Sequence, residues 1–554
     1  MTFLRRIFFL LVVTILALSF DEKILCQEVP HSVNNSGVYE FLDELANDGI
    51  ISINSVIKPY SRLYIANKLK EAVGKRDFLN SRQKKELAFY MLDFGKEMKD
   101  ERSGEREKGR TGEGIHWLSG AKDERRFDLF YYKDSLFSLT VNPILGGEIF
   151  TNESGQATYL RNGAEARGYV GHWGFYASLR DNHEKPILGL PGYLTKREGG
   201  DIKGLDSWSE MQGGVTYSWK WGSAGLVKDR IEWGNNYNGA NIFGGNNPTF
   251  IQLRLHIQPV KWFDFNYFHG WLNSMVVDSS RSYWGTNSYG TDYREVYHKK
   301  FVAANMFTFI PLKNLNVSLG NSIIYSDLGV FSAYLVPVFF YKSVDQSVNS
   351  GIDNMNSQMF IDISSRQISH LHLYGTLFID ELSVPRIYKR PKNEWNFLSY
   401  KAGFRLTDFP IQNLSLTTEF TYTYPLAFQH YVPTLTYESN GYNLGHYLRD
   451  NSREWYVSLG YKPLKTFEIN LSFIDAIRGP DYTELGTSRW GNPPLDIIQW
   501  HNTAYCLKIS YQLINDLYAW GAFTISDIRG DQRWSPAYFF GNRNTANAGI
   551  TYGF

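Results

Sequence analysis

"YKPLKTFEINLSF", residues 461–473, is a phrase the chain uses four times. "IQPVKWFDFNYF" (257–268) is its near-twin, and "FIPLKNLNVSL" (309–319) and "FPIQNLSLTTEF" (409–420) are two more copies. Each reads Pro, aliphatic, Lys or Gln, any residue, then a bulky apolar residue that opens an alternating run. Pro has no amide hydrogen to leave unpaired in a reversal, and Lys keeps the tip in water. Beyond the turn the period is two: Phe467, Ile469, Leu471 and Phe473 alternate with Glu468, Asn470 and Ser472. Such alternation places the two sets on opposite faces of a strand. Each copy therefore predicts a tight hairpin turn.

The connections between these hairpins, such as 274–297, 426–450 and 480–503, are much longer and rich in Gly, Asn, Tyr and Trp. Short turns on one side and long loops on the other are the asymmetry of an outer-membrane barrel. Pro259 and Pro311, then Pro410 and Pro463, lie about 50 residues apart, one two-strand repeat with its outer loop. In "FIQLRLHIQ" Ile251, Leu253, Leu255 and Ile257 alternate with Gln252, Arg254, His256 and Gln258. In "LSLTTEFTYTY" Thr417, Glu419, Thr421 and Thr423 share the face opposite Leu416, Phe420 and Tyr422. A polar face that repeatedly holds charge or amide fits a wet or plugged lumen. Counted from Phe127 to the end, the runs predict roughly 18 strands, an even number as closure favours. The last run, "ANAGITYGF", ends on the aromatic Phe554, the form recognised by barrel-assembly machinery.

Composition agrees. Of 554 residues 16% are aromatic, yet mean hydropathy is −0.33, which excludes a helical membrane protein. A formal charge of +1 gives no reason to expect a nucleic-acid partner. A large soluble β-sandwich is the bland alternative. Against it stands the N-terminus: "MTFLRR" followed by the apolar "IFFLLVVTILALSF" (7–20) reads as a secretory signal, with cleavage expected after Cys26. That leaves Cys506 as the mature chain's thiol. The stretch 27–97 predicts three short helices: Val38, Phe41, Leu42 and Leu45 form one stripe, Ser61 caps a second helix, and Leu87, Tyr90, Met91 and Phe94 mark a third. The stretch 96–114 is charged, Gly-containing and nearly free of apolar side chains, so 98–126 reads as a charged linker and 127–554 as the barrel.

Four stretches carry a resemblance: "YEFLDELANDGIISINSVIKPYSR" (39–62), "KDRIEWGNNYNG" (228–239), "YGTLFIDEL" (374–382) and "LGHYLRDNSREWYVSLGYKP" (444–463). In this order they resemble the capsule-assembly Wzi family of outer-membrane proteins over nearly the whole chain. The second departs from the family pattern: Ile231, Glu232 and Asn235 stand where a further aromatic and a Pro are usual. The resemblance implies an eighteen-stranded barrel, blocked from the periplasm by the helical segment, whose outer surface holds capsular polysaccharide.

Sugar recognition combines aromatic faces with planar amides or charges. The outer loops supply Arg230, Trp233 and Tyr237 in "RIEWGNNYNGANIFGGNN", Trp284 and Tyr289 in "SRSYWGTNSYGTDYREVY", and Arg489 and Trp490 in "TSRWGNPPLDIIQW". Arg478 in "DAIRGPD" and Arg529 in "SDIRGD" are candidates to grip an acidic polysaccharide or a lipopolysaccharide phosphate. Interfacial Trp and Tyr are also what any barrel needs, and each Arg has an acid following it. His370 and His372 in "SHLHLYG" form a two-residue metal motif without a third ligand, and are read as lumen residues. No G-x-S-x-G, H-E-x-x-H or phosphate loop occurs, and the chain is read as non-enzymatic, without metal or cofactor. The expectation is therefore an all-β transmembrane barrel of about 18 antiparallel strands with a small N-terminal α-helical periplasmic bundle. It is placed in the outer membrane of a Gram-negative bacterium, among lipids including lipopolysaccharide, binding surface polysaccharide through its outer loops. The rival is a substrate-specific porin, which has no need of a helical segment before its first strand.

Overall fold

The computed structural model describes residues 28–98, 114–119, 127–134, 137–202, 204, 206–288, 290–348, 351–389, 394–481 and 494–554. The signal stretch with its cleavage site, and most of 98–126, lie outside the described residues.

The alternating runs form the strands. In chain order these are β1 Phe137–Asn152, β2 Gly155–Val170, β3 Trp173–Lys185, β4 Ser207–Trp219, β5 Gly222–Asp229 and β6 Phe250–Val260. Next come β7 Phe263–Val277, β8 Tyr297–Leu312, β9 Leu315–Ser326, β10 Met355–Ser365, β11 Leu371–Glu381 and β12 Phe397–Thr407. The last six are β13 Leu414–Thr423, β14 Ser452–Leu464, β15 Phe467–Arg478, β16 Trp500–Ile514, β17 Leu517–Gly530 and β18 Gly541–Tyr552. Each pairs antiparallel with its sequence neighbour, and β18 closes onto β1 through Ala546–Thr151 to Tyr552–Leu145, giving a closed barrel of 18 strands. Two further strands, Gly114–Ser119 and Asp128–Lys133, form a hairpin that continues along the same edge of β1 below the closure. The first of them falls inside the stretch read as linker.

The barrel is inside out relative to a soluble protein. Ile251 (47% exposed), Leu471 (50%) and Phe523 (47%) face outward, whereas Gln252, Glu419, Thr421 and Thr423 are buried. An apolar exterior around a polar interior is the requirement of a barrel in lipid, where every backbone polar group must also be paired within the wall. Among the described residues no helix is long and apolar enough to span a membrane.

At one end the turns are short, and the recurring Pro has a specific place in three of them. Register slips by one residue between Ile257 and Val260, Phe309 and Leu312, and Tyr461 and Leu464, so Pro259, Pro311 and Pro463 each sit in a β-bulge just before a two-residue turn. A bulge leaves one residue out of the ladder, where a missing N–H is harmless. The fourth copy is not as tight as expected. Pro410 lies within a longer reversal, 408–413, which the Asp408 carboxylate closes by accepting from the Asn413 amide.

The helices α1 Ser36–Asn47, α2 Arg62–Val73 and α3 Ser81–Asp93 form a unit with its own core, including Phe41, Leu45, Ile65, Leu69, Leu87 and Phe94. Ser61 accepts from the Tyr64 amide (3.1 Å) as the predicted N-cap. α3 begins with a capping box between Asn80 and Gln83. This unit docks in the short-turn end of the barrel. Asn47 donates to Thr407 (3.0 Å), Ser52 to Asn314 (2.7 Å), Tyr90 to Gln512 (3.0 Å) and Asn316 to the Ile53 carbonyl (3.2 Å).

Candidate functional site

The long loops do not all project away from the barrel. The β5–β6 loop turns into the lumen, where Glu232–Trp233 pairs on one side with Ile57–Lys58 of the helical unit and on the other with Phe243–Gly244. The β13–β14 loop joins it there. Trp233, Ile242, Phe243, Phe428, Tyr437 and Leu444 pack with the wall residues Phe250, Phe268, Phe360 and Phe378 in one apolar core. The lumen is thus filled from both ends.

This filling corrects four of the sequence candidates. Trp233 is 3% exposed and meets Phe243 and Phe268 edge to face, so it offers no surface to a glycan. Arg230 is buried between Glu198 (2.8 Å) and Glu210 (2.7 Å), sharing both acids with Arg180. Burial works to raise the Glu198 carboxyl, but Arg230 and Arg180 pull it down to about 2. Tyr237 is held in the lumen, donating to Asp43 (2.6 Å) beside His372, with Arg405 over its ring. Arg478 is fully buried, pairing with Asp481 and stacked 3.8 Å from the centre of the Trp534 ring. In all four cases the side chain is consumed by the barrel's own filling. Trp500, the last residue of the 487–500 stretch, is likewise buried and donates to Ser535 (2.8 Å).

Two candidates do face solvent. Trp284 is 71% exposed on a protruding hairpin, Tyr283–Asn287 with Gly290–Arg294, where its ring lies 5.3 Å from that of Tyr293. Arg529 is exposed at the end of β17 and pairs with Asp527. Tyr289, Arg489 and Trp490 lie outside the described residues. His370 and His372 are not a pair: the first bonds Asp48 (2.9 Å) and the second Ser364 (2.8 Å) and Tyr237.

What the sequence did not reveal is the polar lock between plug and wall. Arg366, in the β10–β11 turn, donates to Asp43 (2.5 Å), Asn47 (2.7 Å) and Ser55 (3.2 Å), all from the helical unit. Burial acts to raise the Asp43 carboxyl, yet Arg366, His372 and Arg405 hold it well below the usual carboxylate range. Beside this lock, Arg82 pairs with Glu44 and Glu86, and Lys462 of β14 reaches Glu44 and Glu40 (3.6 Å each). Glu44, Asp48 and Asp408 converge closely enough to hold a cation, but the Gln83 amide nitrogen already sits within hydrogen-bond distance of all three (2.9, 2.8 and 3.1 Å) and shares its two N–H groups among them. Burial, then Asp408 and Glu44, push the Asp48 carboxyl up to about 8.

The filling is lopsided. On the side of β14–β18 and β1–β2 a cavity of about 680 Å³ remains between plug and wall. It runs from Glu184, Arg197 and Trp208 at the long-loop end, past Lys508, to Lys462, Thr466, Glu468, Gln512 and Phe554 at the short-turn end. Its size falls within the range of small-molecule sites, roughly 300–1,000 Å³.

No family model matches this sequence, and no curated protein matches it. Among solved structures it is similar to Wzi of Escherichia coli, an outer-membrane protein involved in group 1 capsule assembly and described as a carbohydrate-binding β-barrel. The TM-score is 0.56 at 13% identity, over 96% of this chain and 100% of that one. OccD3 and OprD of Pseudomonas aeruginosa match 75% of the chain at TM-scores of 0.41 and 0.40, too low to count as a shared fold. An 18-stranded barrel with a helical unit in its short-turn end, matched from end to end, has the Wzi fold.

Proposed function

We propose that this chain is a non-enzymatic protein of the Gram-negative outer membrane that binds capsular or another surface polysaccharide on its long-loop face. Its N-terminal 26 residues direct export, and the helical unit closes the periplasmic end. The observation that carries this reading is the closure itself. A barrel whose short-turn end holds a docked helical unit, and whose lumen is largely occupied by its own loops apart from the side cavity, leaves the long-loop face as its main accessible surface. That face presents the Trp284–Tyr293 pair and Arg529, an aromatic platform and a cation of the kinds that bind sugar rings and acidic groups. The end-to-end likeness to a carbohydrate-binding barrel supports the same conclusion.

The test is binding of the detergent-purified protein to polysaccharide from its own cells, with an unrelated polysaccharide as control. Selective binding that weakens in Trp284→Ala supports the reading; absence of selective binding overturns it. A second reading, a substrate-specific channel, draws on the 680 Å³ cavity that runs beside the plug. It requires steady ion conductance of the wild-type protein in planar bilayers.

A further inference from the structure

On most of the barrel the outward residues are exposed and apolar. One sector departs from this. On β7–β10 the outward positions Phe265, Tyr267, His269, Phe301, Ala303, Asn305, Ile323, Tyr325 and Met355 are all buried, although the opposite face of the same strands already packs into the lumen core. Their orientation follows from register: Phe309, Leu319 and Ile363 lie on the same face of these strands and are exposed. Something covers the outside of the wall.

The cover is the β9–β10 loop. Instead of standing above the rim, residues 328–348 fold down over the exterior as a short turn of helix, Ser332–Leu335, and a helix, Tyr341–Val348. The contacts reach far down the wall. Tyr267, four residues from the short-turn end of β7, donates to the Tyr334 carbonyl (2.9 Å). At about 3.4 Å per residue that is only ~14 Å along the strand from the turn.

Two asparagines on the outward face make sense only with this cover. Asn305 donates to the carbonyls of Pro337 (2.8 Å) and Phe339 (3.0 Å). Asn321 donates to Asn305 (2.7 Å) and accepts from the Tyr341 amide (2.9 Å). Tyr325 accepts from the Phe331 amide (3.3 Å) and bonds His269 (2.7 Å). Amides on the outside of a barrel in lipid are costly unless paired, and irregular backbone at membrane depth is tolerated only where protein satisfies it. Here each supplies what the other lacks.

The crest of the loop is apolar: Leu335, Val338, Phe339 and Phe340 are 40–61% exposed, whereas the helix Tyr341–Val348 exposes Ser343, Gln346 and Ser347. These residues continue the barrel's apolar belt, bracketed by Ile251 and Leu253 on β6, Ile363 on β10, and Phe309 and Leu312 below. We infer that residues 328–348 form a strap against the outside of the barrel at membrane depth, and that its apolar crest, residues 335–340, is covered by lipid acyl chains. The strap widens the wall on one side and breaks the barrel's radial symmetry in the bilayer plane.

Val338→Cys, at the exposed crest, in a Cys506→Ser background, would be labelled with an environment-sensitive fluorophore and reconstituted into phosphatidylcholine vesicles. Trp284→Cys on the protruding hairpin serves as the aqueous control, and the Cys506→Ser protein as the labelling blank. The expected result is quenching by nitroxide on the acyl chains several-fold stronger at position 338 than at 284, with aqueous iodide showing the reverse order. Iodide quenching at 338 as strong as at 284 would place the strap in water and overturn the inference. So would a buried emission insensitive to lipid nitroxide but accompanied by energy transfer between labelled copies, which would put a second barrel on this surface.

Discussion

Replacing Asp43 by Ala tests how the plug is held. Asp43 is the acid shared by Arg366 (2.5 Å) and Arg405 (3.9 Å), and all three side chains are at least largely buried. Its removal leaves two guanidinium groups in the lumen without that carboxylate. Breaking one side of a buried pair costs about 3–5 kcal/mol, because the remaining charge is uncompensated. Arg366 keeps its bonds to Asn47 and Ser55, so the lower figure applies. About 3 kcal/mol, at about 1.4 kcal/mol per tenfold, shifts the docked-to-undocked ratio of the plug roughly 100-fold. The assay is single-channel recording in planar bilayers, comparing the open fraction of Asp43→Ala with wild type after circular dichroism has shown the barrel folded. A large rise in open time is expected, partly reversed when Arg366→Met removes one orphaned charge. A folded Asp43→Ala barrel with wild-type conductance would refute the reasoning, and with it the view that this lock holds the plug.

Three other outcomes follow from the same geometry. The Asp48 carboxyl is raised from its ordinary 3.8 to about 8, so the folded chain holds a proton there that the unfolded chain has released. Plug stability contributed at this site is therefore greatest near pH 4 and falls as pH rises toward 8; Asp48→Asn should flatten that slope, as read by thermal unfolding across this range. Trp233→Ala should cost about 3–5 kcal/mol of stability through the cavity it leaves, whereas Trp284→Ala should change stability by less than about 0.5 kcal/mol and act on glycan binding, a contrast checked by paired denaturation and binding measurements. Asn80→Ala, which removes the capping box of α3 and a bond to Asn413 (3.3 Å), should lower the melting transition by a loss of about 1 kcal/mol without altering the barrel's circular dichroism.

The architecture was legible because it is written in local signals. The alternation in 461–473 assigns Leu471 to lipid and Asn470 to the lumen with no knowledge of the neighbouring strand, since a period of two is a property of the strand alone. Pro before Lys marks the end of a strand for the same reason, although the bulge at Pro311 and the longer reversal around Pro410 needed the register to be seen. The stripe of Phe41 and Leu45 and the cap at Ser61 likewise announced their helices.

The site was not legible, and two tryptophans show why. "EWGNN" around Trp233 and "YWGTN" around Trp284 are almost the same phrase, each in a loop rich in Gly, Asn and Tyr. One is buried because its loop pairs with Ile57–Lys58, far away in the chain; the other stands exposed on a hairpin that pairs only with itself. Nor does "AYLVPVFFYKS" declare that it lies outside the wall, since that depends on Asn305 and Asn321 waiting at outward positions of other strands. Backbone periodicity is set by each residue's neighbours in sequence, so the sequence by itself determined the barrel, its turns and its helices. Burial is set by whatever arrives from elsewhere to cover a surface, so only the tertiary structure decided which aromatics fill the lumen, which face the solvent, and which meet the lipid.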